Sequence, residues 1–216
     1  MRWIFAVLAA LLSGLVIMPV RYRYLSENRR AAELTLKAIP TLLCAVFAVW
    51  ACLDGSADRY AVLVFMGLMV CTAGDVVLGI RFAVGGVLFL LGHVCYISAF
   101  LSQQTLSVWN LLVFAVMLSC LWLFCQRYRP LIKSKLISYG ILLYSAALAV
   151  VLCLSLPLPF AAISQRSVLA AVGAVLFVIS DMGVCHGILI DTSESFSFRM
   201  LGVYYLAQLC LALSAF

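Results

Sequence analysis

Long uninterrupted runs of apolar residues divide this chain into segments of similar length. An α-helix needs about 20 apolar residues to cross the hydrocarbon core of a bilayer. Eight segments approach or reach that length: Trp3–Val20, Leu34–Leu53, Tyr60–Ile80, Phe82–Leu101, Leu106–Cys125, Leu136–Leu156, Val168–Ile190 and Phe196–Phe216. Transmembrane barrels consist of shorter segments that alternate apolar and polar residues. The sequence therefore predicts an all-α, polytopic membrane bundle of eight transmembrane helices.

The composition agrees with this interpretation. The chain of 216 residues is 67% hydrophobic and 10% charged, whereas a soluble domain is nearer 45–50% apolar and roughly 25% charged. The connections between the segments are too short for a separate soluble domain, so we expect residues 1–216 to form a single integral-membrane domain. Trp3–Val20 is interpreted as a helix rather than a secretory signal, because basic residues follow it and no A-x-A-like cleavage site does.

The basic residues are distributed unequally between the two sides of the predicted bundle. Of the 14 Lys and Arg residues, Arg2, Arg59 and Arg166 lie on one side and the others lie on the opposite side. Cytoplasmic loops carry the excess of positive charge, which predicts that both termini lie outside. In a bacterium we expect the cytoplasmic (inner) membrane. The net charge of +6 lies in short loops, so the expected partners are membrane lipids rather than nucleic acid.

Nine cysteines would suffice for a set of disulfides. Nearly all of them fall inside apolar segments and none forms a Cys-x-x-Cys motif, so we interpret them as small buried hydrophobic residues. No spacing typical of metal ligands is present. The sequence thus predicts neither a metal nor another cofactor.

Two carboxylates interrupt the apolar segments at positions where membrane insertion does not require them. Asp75 lies in the third predicted helix and Asp181 in the seventh. A charged side chain at the centre of a transmembrane helix costs about 2.5–3.5 kcal/mol on insertion scales. Such acids are therefore candidates for function, and structural pairing with another side chain is the alternative.

The predicted topology brings further polar residues toward the same two acids. Both acids lie in the cytoplasmic half of the bundle, and no comparable polar set is expected in the other half. The neighbouring candidates are Lys37, His93, Tyr96, Tyr204, Tyr205 and Gln208. His93 and Tyr96 lie about one turn apart on a helix face. Hydrogen bonds that only tie the helices together are the alternative role for His93, the tyrosines and Gln208.

Two carboxylates in a low-dielectric site rarely share the same protonation state. One can remain protonated as a general acid while the other acts as an ionised base. Such a pair suits the hydrolysis of an acid-labile bond through an oxocarbenium-like transition state. Lys37, if close, would favour ionisation of one carboxylate. We expect Asp181 to be the proton donor and Asp75 the base and electrostatic stabiliser, with the reverse assignment open.

Four segments in order resemble the YhhN family of bacterial membrane proteins, which includes the animal lysoplasmalogenases. They are Gly74–Leu78, Phe82–Tyr96, Gly173–Asp181 and Tyr204–Gln208. Their order, their spacing and the eight-helix layout are similar over most of the chain. One departure is Lys37-Ala38-Ile39-Pro40, where the family tends to have Lys followed directly by Pro.

The resemblance implies hydrolysis of the vinyl-ether bond of a lysophospholipid, the lysoplasmalogen. The products would be a fatty aldehyde and glycerophosphoethanolamine or glycerophosphocholine. Asp75 and Asp181 would then be the catalytic carboxylates, and His93, Tyr96, Tyr205 and Gln208 would line the site. The phosphate-bearing head group would lie near Lys37 or Arg81. The sequence does not indicate an oligomeric state.

Three other functions remain open from the sequence. Acids and a histidine inside a bundle also suit a proton-coupled transporter. Gly74-Asp75 is found in intramembrane aspartyl proteases as well, although the flanking residues do not otherwise match. A membrane protein that binds lysolipids without cleaving them is the third.

Overall fold

The computed structural model describes residues 30–53, 58–131, 135–190 and 193–216. The helices are α1 (Arg30–Ala51), α2 (Arg59–Leu78), α3 (Phe82–Leu101), α4 (Val108–Tyr128), α5 (Lys135–Ser155), α6 (Leu158–Ala161), α7 (Gln165–Ile190) and α8 (Glu194–Ser214). A short 3₁₀ turn, Arg129–Leu131, follows α4. All except α6 are long and apolar enough to cross a membrane.

The all-α prediction is confirmed for the described residues, which contain no strand. The structure shows seven membrane-crossing helices rather than the predicted eight. The additional predicted helix, Trp3–Val20, lies outside the described residues. The protein is therefore a multi-pass membrane protein; its membrane and the side of each terminus stay predictions.

The start of α7 differs from the prediction for an identifiable reason. The apolar run predicted a start at Val168, but the helix begins at Gln165. The backbone N–H of Ser164 donates to Ser167 Oγ at 3.0 Å, and the N–H of Ser167 donates to Ser164 Oγ at 3.1 Å. This reciprocal pair satisfies N–H groups that the first turn leaves unbonded. Polar capping residues therefore extend the helix beyond its apolar part.

Six of the helices form a closed ring. Each packs on the next in the order α1, α2, α3, α5, α7 and α8, and α8 packs on α1. Helix α4 lies outside the ring, against α5. Its outer surface carries large exposed apolar side chains, among them Trp109 and Leu123, each 68% exposed. Such a surface suits contact with lipid.

Chain direction places the starts of α1, α3, α5 and α8 and the ends of α2 and α7 at one side of the ring. We call this the basic end, because Lys37, Arg81 and Arg199 belong to it. The other side, where α2 and α7 begin, is called the opposite end.

Glycines let α2 and α3 approach closely. A Cβ at Gly67 would lie 2.5 Å from Cε1 of Tyr96, and a Cβ at Gly74 would lie 3.1 Å from Cε2 of Phe89. Small residues are the usual means of close helix approach in membranes, where helix association depends on packing and interhelical hydrogen bonds. The contact holds the helix that carries Asp75 against the helix that carries His93.

The opposite end holds a polar network that we did not predict. Arg166 pairs with Asp58, its guanidinium carbon lies 4.8 Å from the centre of the Tyr60 ring, and it donates to the Ala215 carbonyl at 3.4 Å. The hydroxyl groups of Tyr60 and Ser214 are 2.7 Å apart. The expectation of no comparable polar set in this half was wrong. Arg166 was counted only as a topology signal, but it ties the starts of α2 and α7 to the end of α8.

Substitution Arg166→Met tests the stabilising role of this network. A partly exposed ion pair and a cation–π contact together contribute about 1 kcal/mol to the free energy of unfolding. In a chain of this size, their loss lowers Tm by about 2–4 °C. Thermal unfolding in detergent, followed by circular dichroism, measures the change. The control is Arg59→Met, which removes an exposed arginine at the same end. Equal Tm values for the two variants would contradict the assignment.

Candidate active site

Asp75 lies at a junction of three helices. It is 1% exposed, close to the end of α2. Its Oδ2 accepts a hydrogen bond of 2.6 Å from the Thr41 hydroxyl of α1 and one of 3.0 Å from the Tyr204 hydroxyl of α8. The ammonium nitrogen of Lys37 lies 3.9 Å from Oδ1. Lys37 therefore lies close to Asp75, which is the condition under which it would favour ionisation of that carboxylate.

Helix α1 presents Lys37 and Thr41 to Asp75 because residues four apart share a helix face. Pro40, inside this helix, has no N–H to donate and removes one hydrogen bond of the helix. Nearby, the Tyr205 hydroxyl donates to the Lys37 carbonyl at 2.7 Å. Tyr205 therefore contacts the backbone of Lys37 and anchors α8 to α1.

Asp181 lies at a second junction of three helices, formed by α3, α5 and α7. Its side chain is 14% exposed, in contrast with that of Asp75. The Tyr144 hydroxyl of α5 donates to Asp181 Oδ2 at 2.7 Å. Nε2 of His93, on α3, lies 3.8 Å from the same oxygen. Asp181 is thus more accessible than Asp75 and faces a histidine rather than a lysine.

The position of the proton on His93 follows from its contacts. Nδ1 lies 2.6 Å from the carbonyl oxygen of Phe89. A carbonyl can only accept a hydrogen bond, so Nδ1 carries a proton. In the neutral ring, Nε2 is then an acceptor. It is buried and has no hydrogen-bond partner among the described residues, and Asp181 is the acidic group beside it.

Phe177 connects the two junctions. Its ring centre lies 4.8 Å from that of His93 and 5.6 Å from that of Tyr204. Phe89 packs against Phe177 at 6.4 Å and against Tyr204 at 5.9 Å. These aromatic rings lie between the surroundings of the two carboxylates.

Tyr96 and Gln208 bond to each other, not to either acid. The Tyr96 hydroxyl donates to Gln208 Oε1 at 2.9 Å, and both side chains are fully buried. Gln208 Nε2 has no hydrogen-bond partner among the described residues. The pair ties α3 to α8. The centre of the Tyr96 ring lies 6.2 Å from that of the Phe177 ring.

Two residues that contact the acids were absent from the prediction. Thr41 could have been found from its position four residues after Lys37. Tyr144 gave no such signal, because a tyrosine inside an apolar helix is common and its partner lies 37 residues away in the chain. The structure thus adds a hydroxyl donor to each carboxylate.

The described residues contain no group of three His, Cys, Asp or Glu side chains that could hold a metal ion. The nine cysteines are free thiols. What the site offers is proton transfer and charge: two carboxylates, one imidazole, one ammonium group and several hydroxyl groups.

A double-mutant cycle measures the coupling between Lys37 and Asp75. Lys37→Met leaves a buried carboxylate with fewer partners and lowers stability by about 1–3 kcal/mol. Adding Asp75→Asn removes the charge, so the double variant loses less than the sum of the two single variants. Thermal unfolding in detergent gives the four values. Lys135→Met, at an exposed position of the same end, is the control. Strict additivity would show that the two side chains do not interact.

The sequence model of the YhhN family matches residues 32–215. Comparison with curated proteins finds no match, and comparison with the solved structures finds none either. The match spans nearly the whole chain, including both junctions around Asp75 and Asp181. The chain therefore belongs to the YhhN family.

Proposed function

We propose that this protein is a membrane-embedded, lysoplasmalogenase-like hydrolase that cleaves the vinyl-ether bond of lysoplasmalogens. Family membership supports the class of membrane protein. The observation that carries the proposal is the unlike surroundings of two intramembrane carboxylates: Asp75 accepts from two hydroxyl groups and lies near a lysine, whereas Asp181 accepts from one hydroxyl group and lies near a histidine.

Asp75 is suited to act as the ionised carboxylate. Two hydroxyl groups donate to its Oδ2, and the Lys37 ammonium lies on the side of Oδ1. Donors and a nearby positive charge stabilise the charged form of a carboxylate. In this state Asp75 supplies a fixed negative charge that stabilises a developing oxocarbenium ion.

Asp181 and His93 are suited to hold one transferable proton. A neutral carboxylic acid beside a neutral imidazole, or a carboxylate beside an imidazolium, both satisfy the acceptor position of Nε2. The distance of 3.8 Å is longer than a hydrogen bond, and catalytic contacts often tighten only with substrate present. The partial exposure of Asp181 gives substrate a route to it.

The reaction then proceeds through protonation of the vinyl ether, addition of water and breakdown of the hemiacetal. The acid of the Asp181–His93 pair transfers its proton to the vinyl carbon that does not bear oxygen, and the π electrons form the new C–H bond. The ether oxygen shares a lone pair with the adjacent carbon, giving the oxocarbenium ion. Water adds to this carbon while its proton returns to the Asp181–His93 pair. The Asp181–His93 pair then gives its proton to the glycerol oxygen as the hemiacetal C–O bond breaks and takes up the hemiacetal O–H proton, so that the aldehyde and the glycerol alcohol leave and the pair regains its starting state.

The remaining groups suit a single-chain phospholipid. The alkenyl tail fits an apolar environment between helices, and the phosphate-bearing head group would point toward the basic end. Arg81 is exposed there, and Lys37 is partly exposed. Tyr96, Tyr205 and Gln208 support this site through contacts with each other and with α1, and their contact with substrate stays a prediction.

Substitution of either acid tests the proposal. With a lysoplasmalogen in detergent, wild type releases fatty aldehyde, and Asp75→Asn and Asp181→Asn lower turnover by about 10²-fold or more, the usual range for general acid–base groups. Asp58→Asn makes the same chemical change at the opposite end and keeps turnover near that of wild type.

Three outcomes would contradict the proposed hydrolase or its mechanism. A folded wild-type protein that binds lysolipid and releases no aldehyde is a lipid-binding protein. Uptake of substrate into proteoliposomes without product indicates a transporter. Full activity of both acid-to-amide variants would exclude the acid–base mechanism.

Isotope labelling tests the first chemical step. In D₂O, proton transfer to the vinyl carbon places one deuterium on the carbon next to the aldehyde group. Mass spectrometry of rapidly trapped product measures it. Unlabelled aldehyde incubated with the enzyme in D₂O gives the background exchange. Product without deuterium above that background would contradict carbon protonation.

A further inference from the structure

We propose that Tyr144 is a positioning residue that orients the Asp181–His93 pair and sets the pH range in which the pair carries its proton. This inference rests on the proposed function. Tyr144 belongs to α5, outside all four segments that carry the family resemblance, and the sequence alone gave it no role.

Tyr144 contacts both members of the pair. Its hydroxyl donates to Asp181 Oδ2 at 2.7 Å. Its ring meets that of His93 edge to face, with centres 5.3 Å apart and planes at 80°. One side chain therefore restricts both the rotation of the carboxyl group and the tilt of the imidazole.

Tyr144 also determines which oxygen of Asp181 is available. The described contacts of Asp181, from Tyr144 and from His93, both go to Oδ2. Oδ1 accepts no hydrogen bond from the described residues. A carboxyl group held at one oxygen presents the other in a defined direction, which is the orientation that proton transfer to a bound substrate requires.

Within the part of the chain that the structure describes, few charged and titratable groups surround Asp181. His93 faces it from α3 and Tyr144 from α5. From α2, Asp75 and Cys71 are near enough to interact with it electrostatically, as is Cys185 on its own helix. The aromatic face of Tyr204, on α8, is separated from the pair by Phe177. Tyr144 is thus the hydroxyl donor to Asp181 among the described residues.

The direction in which Tyr144→Phe moves the pH–rate profile follows from the hydrogen bond that Tyr144 donates to Asp181. A hydroxyl that donates to a carboxylate stabilises its ionised form more than its protonated form. Tyr144→Phe keeps the ring against His93 and removes this donor, so Asp181 retains its proton to higher pH. The alkaline limb of the pH–rate profile, where the proton donor is lost, is therefore expected to move to higher pH.

The experiment compares wild type with Tyr144→Phe in lysoplasmalogen hydrolysis across pH. We expect kcat to fall roughly 10-fold at neutral pH, because orientation is lost, while KM changes less than about twofold. Tyr139→Phe is the matched control: it makes the same change on the same helix at a side chain that is 69% exposed, and its profile should match wild type.

Infrared spectroscopy tests the contact of Tyr144 with Asp181 independently of turnover. The infrared carbonyl band of protonated Asp181 is identified by its loss in Asp181→Asn. In Tyr144→Phe this band should shift, because Oδ2 of the carboxyl group has lost its donor, and it should persist to higher pH.

The outcomes separate the two proposals. A shifted band without aldehyde release from wild type overturns the hydrolase and keeps the contact of Tyr144 with Asp181. Active wild type with an unshifted band and an unchanged pH profile in Tyr144→Phe overturns the role of Tyr144. A fall in kcat with an unmoved alkaline limb also overturns it, because that pattern indicates a purely structural contribution.

Discussion

The cost of placing a carboxylate in the membrane interior shapes the arrangement of this bundle. An uncompensated charge there is expensive, so each acid requires partners from neighbouring helices. Asp75 has partners on α1 and α8, and Asp181 has partners on α3 and α5. These helices, together with α2 and α7, are the six members of the ring. The two acids thus have polar partners on four other helices of the ring.

Close packing makes these contacts precise. Gly67 and Gly74 let α3 approach α2, so that Tyr96 and Phe89 lie directly against the helix that carries Asp75. Phe177 then fills the space between His93 and Tyr204. These aromatic rings give the two acid sites an apolar boundary, and an apolar surrounding strengthens electrostatic interactions. Two carboxylates in one bundle can consequently have different partners and different roles.

The polar groups at the two ends of the ring have different roles. At the opposite end, Arg166 joins Asp58, Tyr60 and the Ala215 carbonyl, so three helices are tied together. The two acids of the candidate site lie nearer the basic end, and Asp181 keeps part of its surface accessible.

The apolar runs by themselves determined the helical class and the approximate bounds of the seven described membrane-crossing helices, because a bilayer demands long apolar segments. They also singled out Asp75, Asp181 and the basic end, since charge inside such a run is costly. Only the tertiary structure decided the partners: Thr41 and Tyr144 as donors, Arg166 as a structural tie, and Tyr96 with Gln208 as a pair. These contacts join residues far apart in the chain, and their geometry depends on helix rotation and packing, which hydropathy does not specify.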